Sequence, residues 1–483
     1  MSANTLANSN PRYEQGGVDE VLPFSRLATL GLQHVMVMYA GAIAVPLIIG
    51  AALNLSKDQI TLLITADLLC CGLITIIQSW GVGIFGIRLP VMMGVSFAAV
   101  TPMIAIGQNP ELGITGIFGA CILAGAFSIL ISPIFSRLMG LFPPVVTGTI
   151  ITVIGITLMR VGLNWVGGGS PLIKDATTGQ MIPNPDFGSP DNLLIAIGVL
   201  VLILVITKFA RGFVANVAVL IGLLAGFLAS LAMGKISFNG LDEAKWFAIV
   251  RPFEFGYPTF NFSAAAVISL IMIVIMVESL GMFLALGSIC GRHPTREDLV
   301  RGLRTDGLGT LVGGILNTFP HSSFSQNVGL VSVTGVRSRW VCVMGGVFLI
   351  LLGVFPKMAF VVASIPHYVL GGAGIVMFGM VASTGIRILL SADLSKNRYN
   401  PYIIAISLGF GMIPLVSEGL LSKMPESLQP LLHSGILLAA VSAIILNLFF
   451  NGMRTPVGHT SEVGSSKKAS EAENDLASSP LKR

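Results

Sequence analysis

The chain has 483 residues, 53% hydrophobic and only 11% charged, with a net charge of +5 and a mean hydropathy of +0.85. A soluble domain carries roughly 25% charged residues. This composition therefore excludes a water-soluble globular protein, a disordered chain and a disulfide scaffold, and leaves a polytopic membrane protein. The Lys and Arg residues stand singly at segment ends and form no dense patch, so no nucleic-acid partner is expected.

The N-terminus is polar through Ser25 and lacks a basic region followed by a short apolar run and a cleavage site, so no signal peptide is expected. A bilayer core takes about 20 apolar residues per helix. Fourteen segments are predicted, over 27–50, 59–79, 89–107, 113–135, 143–163, 192–209, 213–233, 263–287, 305–318, 322–333, 340–362, 366–390, 400–416 and 430–450. The ninth and tenth are too short to cross alone as ordinary helices, and Gly, Pro, Ser and Asn crowd them. Cys70, Cys71, Cys121, Cys290 and Cys342 show no metal spacing and read as small core residues without disulfides. The tail beyond Arg454 is Ser- and Lys-rich and is expected to be disordered.

Charge tests the count. With the N-terminus in the cytoplasm and alternating sides, inside regions hold 20 Lys/Arg and outside regions eight, in accord with the positive-inside rule. Both termini are thus expected in the cytoplasm. An internal repeat supports the same number. Pro133 and Pro356, Pro143 and Pro366, Val146 and Val369, and Gly148 and Gly371 are each 223 residues apart. The first residues of these pairs fall in segments four and five and the second in segments eleven and twelve. The repeat unit is therefore seven spans, and an odd number forces the second copy to enter the membrane upside down. Such inverted repeats mark secondary transporters, whose substrate lies near the midplane where broken helices meet. Here those pieces are Ser322–Val333 and its counterpart Leu89–Gly107, with Gly94, Ser96 and Thr101-Pro102.

Polar residues inside apolar runs need a reason, since an ionised side chain at a helix centre costs about 2.5–3.5 kcal/mol. Glu278 lies mid-segment with no fixed cation in its span. It reads as a proton carrier and ligand acceptor, or as a structural carboxylate. Asp306 reads as a helix N-cap, a proton-relay group or an orienter of the site. His34 in span one is a functional or a satisfied core residue. Asp67 in span two has no evident partner. Gln326-Asn327 is the densest polar pair at mid-depth, and a primary amide, an acceptor and two donors in one plane, suits the edge of a planar heterocycle. Phe97, beside Ser96, is a stacking face for such a ring or an ordinary packing aromatic.

The run Gln326-Asn327-Val328-Gly329 followed after four residues by Thr334-Gly335 resembles the signature of the nucleobase–ascorbate transporters, or nucleobase–cation symporter family 2. The resemblance covers roughly residues 20 to 452 and includes Leu30–Val45, Arg88–Gly107, Val277–Gly287, Pro320–Arg339 and Asn397–Leu408. It is strongest to bacterial uric acid permeases and weaker to xanthine permeases. It implies an all-α membrane fold of fourteen segments in two inverted seven-span repeats, with broken or extended pieces in segments 3 and 10. It also implies a core domain (26–140 and 263–362) and a gate domain (141–262 and 363–452), flanked by tails 1–25 and 453–483. Homodimers through the gate, in a bacterial inner membrane, are implied as well. Residue by residue, it implies that Glu278 binds the ring, that Gln326 is the substrate amide and that Asn327 tunes specificity. It further implies that Asp306 is needed for transport, that His34 is the span-one histidine, that Phe97 stacks and that Ser325 offers its backbone N–H. Met282 and Ser96 depart from the xanthine type, with Met282 as in the uric acid permeases and Ser96 nearer their threonine, and would admit the extra C8 oxygen of urate. Gln326 argues against a uracil permease.

The expectation is therefore a symporter importing urate or xanthine with protons, by movement of core against gate, with no cofactor and no metal. Its alternatives are an anion transporter of the sulfate or bicarbonate type on the same architecture, or a permease for another nucleobase. No nucleophile–base pair, metal motif or phosphate loop lies at mid-depth to support an enzyme.

Overall fold

A backbone in hydrocarbon must satisfy its own N–H and C=O groups, so long apolar runs close into helices. The computed structural model describes residues 17–174, 181–392, 394, 397–417, 419–421, 423–424, 432 and 434–452. The expectations for residues 1–16 and for the tail 453–483 lie outside these.

Helices α1 (Phe24–Ala52) and α2 (Lys57–Trp80) come first. Ser56 starts α2 with a capping box, its hydroxyl accepting from Gln59 N–H while Gln59 Oε1 accepts from Ser56 N–H. Strand β1 (Met93–Val95) and a single 3₁₀ turn lead into the short α3 (Val100–Gln108). Helices α4 (Gly113–Leu138) and α5 (Pro144–Val166) follow. The next loop carries a small hairpin of β2 (Leu172–Lys174) and β3 (Met181–Pro183). Then come α6 (Pro190–Phe209), the one-turn α7 (Phe213–Asn216) and α8 (Ala218–Ala232). Asn261 caps α9 (Phe262–Cys290), which ends on Gly291 in the left-handed region (φ 68°), where a Cβ would be strained.

Helix α10 (Arg296–Ile315) corrects the predicted start near 305. Thr295 caps it in a capping box with Asp298, and the helix then runs through Arg296, Arg301 and Arg304, which an apolar count rejects. Asp306 consequently lies mid-helix and fully buried, so its reading as an N-cap does not hold. The second broken piece is β4 (His321–Ser323) followed by α11 (Ser325–Thr334). Helices α12 (Arg339–Gly353) and α13 (Pro356–Ala363) meet at a bend of 82°. Helices α14 (His367–Leu390), α15 (Asn400–Val416) and α16 (Gly435–Asn451) complete the described chain. Among the described residues α1, α2, α4, α5, α6, α9 and α14 are long and apolar enough to cross a membrane, and the bent pair α12–α13 makes an eighth.

Packing follows glycine. Helix α5 lies antiparallel along α14, where Gly155 abuts the Ala382 backbone, Gly385 the Thr152 backbone and Gly371 the Trp165–Val166 backbone. Helix α10 lies on α4 through Gly307 and Gly125, and α12 on α2 through Gly346 and Gly72. Small residues let membrane helices approach to backbone distance, which is where their packing energy arises. Helices α1, α2, α4 and α9–α13 form one assembly, and α5, α6, α8 and α14–α16 form another. The outer faces of α6 and α8 show Leu194, Ile197, Val201, Leu224 and Leu228 to the surroundings, as lipid-facing helices do.

A short strap leads into α1. The Asp19 carboxylate meets Arg339 Nε at 2.6 Å and Arg292 at 3.4 Å, and the Val18 carbonyl accepts from Arg339 N–H. Val18 itself is buried.

Candidate functional site

The two broken pieces meet each other. Strands β1 and β4 pair antiparallel, Met93 opposite Ser323, Gly94 opposite Ser322 and Val95 opposite His321. Two further backbone bonds extend the contact, Ser96 N–H to the Pro320 carbonyl at 2.8 Å and Phe324 N–H to the Met92 carbonyl at 2.9 Å. The Phe324 ring lies against Gly41 and Gly94, where any Cβ would collide with it. This sheet of two three-residue strands lets irregular backbone exist inside the bundle, because strand partners take up the polar groups that helices would otherwise pair. Each strand leads into a short helix, and the first N–H groups of α11, at Ser325 and Gln326, have no intrahelical acceptor.

A pocket opens at this crossing. Ser96, Phe97, Glu278, Ser322, Ser323, Ser325 and Gln326 line it, and Ile151, Ile154 and Val381 from α5 and α14 close its far wall. The cavity thus lies between the two helix assemblies. The structure brings together five of the residues singled out in the sequence: Glu278, Gln326, Ser325, Ser96 and Phe97. The Glu278 carboxylate makes no hydrogen bond or ion pair with any described residue. Gln326 Oε1 accepts from the Ser325 hydroxyl at 3.2 Å, leaving its amide N–H groups free for a ligand. The Ser96 hydroxyl caps the 3₁₀ turn by accepting from Ala98 N–H. Phe97 meets the Phe378 ring of α14 edge-on at 5.8 Å, which joins the two assemblies beside the pocket.

The other four do not line it. Asn327 is buried, and its amide donates to the His34 carbonyl at 3.0 Å and lies 3.0 Å from His34 Nδ1. His34 and Asn327 therefore lock α11 to α1 behind the pocket. Met282 lies one turn along α9 from Glu278 and is half-buried outside the lining. Asp306 Oδ1 accepts from Gln78 of α2 at 3.4 Å, and the same amide donates to the Gly302 carbonyl at 3.1 Å. The Ser279 hydroxyl lies beside Asp306, one residue from Glu278, and accepts from Ser323 N–H at 3.4 Å. Gln78 and Ser279 were not among the residues picked from sequence. Neither is charged, and only the cross-helix contacts reveal them.

Half-helices facing a cavity within a membrane bundle are the architecture of a secondary transporter. Residues 25–420 match the model of the Permease family, and the chain belongs to that family. The resemblance to the nucleobase–ascorbate transporters is borne out, and the protein is a multi-pass membrane transporter, not an enzyme. It is 56% identical to the uric acid transporter UacT of Escherichia coli (strain K12), over 90% of this chain and 88% of that one. It is 45% identical to the uric acid permease PucJ of Bacillus subtilis (strain 168), over 88% and 93% of the two chains. The xanthine permease of the same organism is 41% identical over 94% and 98%. The fold is that of the transmembrane domain of the cyanobacterium bicarbonate transporter BicA (TM-score 0.53, 16% identity, 89% and 98% of the chains). It is shared with the murine anion transporter Slc26a9 in its inward-facing state (TM-score 0.54, 12% identity, 93% and 76%).

Proposed function

We propose that the protein is a proton-coupled importer of purine bases, with urate its first substrate and xanthine its second. The observation that carries this reading is one pocket lined by an unpartnered carboxylate, Glu278, and a free amide, Gln326. A purine offers ring N–H groups to the first and adjacent N–H and C=O groups to the second. The Phe97 face covers the ring, and the open N–H groups at the start of α11 add partial positive charge toward its carbonyl oxygens. Relatives bearing uric acid and xanthine transport in their names support the same substrate class.

Glu278 carries the coupling proton, and Asp306, His34 and Asn327 hold the site from behind. The chain crosses the membrane fourteen times. The eight spans above are joined by α8, α10, α15, α16 and the two broken pieces, and α4 on α10 repeats α2 on α12 as an inverted pair would. The first assembly is the mobile core and the second the gate, with the pocket on the plane along which they slide. Both termini are cytoplasmic, the membrane is the bacterial inner membrane, and two copies join through their gates. The proton gradient and potential supply the drive, roughly 2.3 kcal/mol per charge per 100 mV.

The test is uptake of radiolabelled urate and xanthine into proteoliposomes, with and without an inward proton gradient. Accumulation under the gradient, inhibited by purines and not by sulfate, is expected. Inhibition by sulfate or bicarbonate instead would return the anion reading that the fold shares, which a carboxylate in the pocket opposes.

A further inference from the structure

The reading above leaves one deeply buried carboxylate unused. Asp67 on α2 is 1% exposed, and the sequence offers it no partner. The fold supplies one. Its Oδ1 accepts from the Thr318 hydroxyl at 2.9 Å and stands 3.7 Å from Nε2 of His321, the first residue of β4. Cys71 Sγ lies 3.6 Å from Asp67 Oδ2 and 3.5 Å from the same His321 nitrogen. His321 Nδ1 is 2.7 Å from the Phe319 carbonyl. A carbonyl only accepts, so Nδ1 holds the ring's proton and Nε2 presents a lone pair. A carboxylate oxygen and a bare ring nitrogen thus face each other in a dry interior, too far apart for a hydrogen bond.

One proton resolves this. Held on either atom, it makes a donor of one and leaves the other an acceptor. On the oxygen it neutralises the carboxylate, and on the nitrogen it makes an imidazolium that pairs with it, so that the net charge is zero either way. We propose that Asp67 and His321 form a second proton-binding site, coupled to the substrate pocket through β4. This rests on the symporter reading. The proton binds as an O–H or N–H on the loading side and leaves the same atom on the release side, and no other bond changes. A charge-assisted hydrogen bond spans about 2.7–2.9 Å. Closing the 3.7 Å gap therefore draws the imidazole toward α2, and with it the strand whose next two residues, Ser322 and Ser323, line the pocket.

Among the described titratable and charged groups on the surrounding elements, Cys71 alone touches the pair, and α9 brings Glu278, which lines the pocket beside Ser322 and Ser323. Cys70 and Cys71 come from α2, Cys70 lying 3.7 Å from the Gly309 carbonyl. Helix α10 brings Asp306, tied to Gln78, eleven residues beyond Asp67 and about 16 Å further along α2. Helices α1 and α12 bring His34 and Cys342, 3.9 Å from each other and not bonded to Asp67. Helix α13 brings Lys357, whose ammonium lies over the Trp246 ring.

The test compares wild type with Asp67→Asn in proteoliposomes, reading the proton-to-urate ratio from the reversal potential and the dependence of uptake on external pH. An amide keeps an acceptor for Thr318 and a donor toward Nε2 but takes no proton. The variant is expected to retain urate exchange at equal pH, to lose one proton per urate, and to show a flatter rise of uptake as external pH falls. An unchanged ratio and pH profile overturns the proposal. If Asp67→Asn does not fold, the wild-type ratio decides. Two protons per urate support the second site, and one overturns it. The carboxylate, thiol and imidazole lie within 4.8 Å of one another, so one tightly bound transition metal per purified chain would also overturn it. Absence of urate uptake by wild type, or a Glu278→Gln variant that still accumulates urate, would instead defeat the symporter reading.

Discussion

At the scale of single residues, Glu278 has the clearest consequence. Its carboxylate faces the pocket without a partner, so an amide in its place preserves size and loses the proton. Glu278→Gln is expected to abolish gradient-driven accumulation, by at least tenfold, which corresponds to about 1.4 kcal/mol. Counterflow of labelled urate separates loss of coupling from loss of binding. Glu278 and Gln326 were both legible in the sequence, because a polar group in an apolar run is costly enough to need a reason. Their meeting in one pocket was implied only by the family resemblance, since nothing local records which residues two distant segments share. Asp67 shows the limit from the other side. Its partner His321 lies far off in the sequence on a three-residue strand, too short to leave a pattern. Asn327 reads in the sequence as half of the Gln326-Asn327 pair and His34 as a lone intramembrane histidine, and only the fold shows that they bond to each other.

At the scale of elements, the crossing of α5 and α14 depends on glycine. A Cβ on Gly155 would lie 2.3 Å from the Ala382 backbone nitrogen, and one on Gly385 2.3 Å from that of Thr152. Backbone cannot turn aside as a flexible side chain does, so the helices must separate. Gly155→Leu is expected to destabilise the protein by about 1–3 kcal/mol, as overpacking does. Thermal unfolding in detergent measures it, with Gly198→Leu as control, since nothing lies near a Cβ there. The broken pieces were legible as short, Gly- and Ser-rich runs, although their pairing as β1 and β4 was not. The start of α10 was hidden because hydropathy counts Arg296, Arg301 and Arg304 against a membrane helix. The Thr295–Asp298 cap is the signal that finds it.

At the scale of the whole molecule, the charge count of 20 inside and eight outside predicts that both ends of the chain face the cytoplasm. Single cysteines introduced at Gly17 and Gly452, in a background without the five native cysteines, test this in right-side-out vesicles. Both are expected to resist an impermeant maleimide until the membrane is opened. Labelling of one and not the other in sealed vesicles would overturn the fourteen-span count, and labelling of both would overturn the orientation. The strap at residues 18–20 then acquires a dynamic meaning. It is fastened by Arg292 to the loop before α10 and by Arg339 to the first residue of α12, so it belongs to the same assembly as those helices. If that assembly travels through the bilayer while the other stays still, a fluorophore at Gly17 rides with it as a passenger. The distance from such a label to one on the opposite assembly would then report each transport stroke directly, with no reporter placed in the pocket.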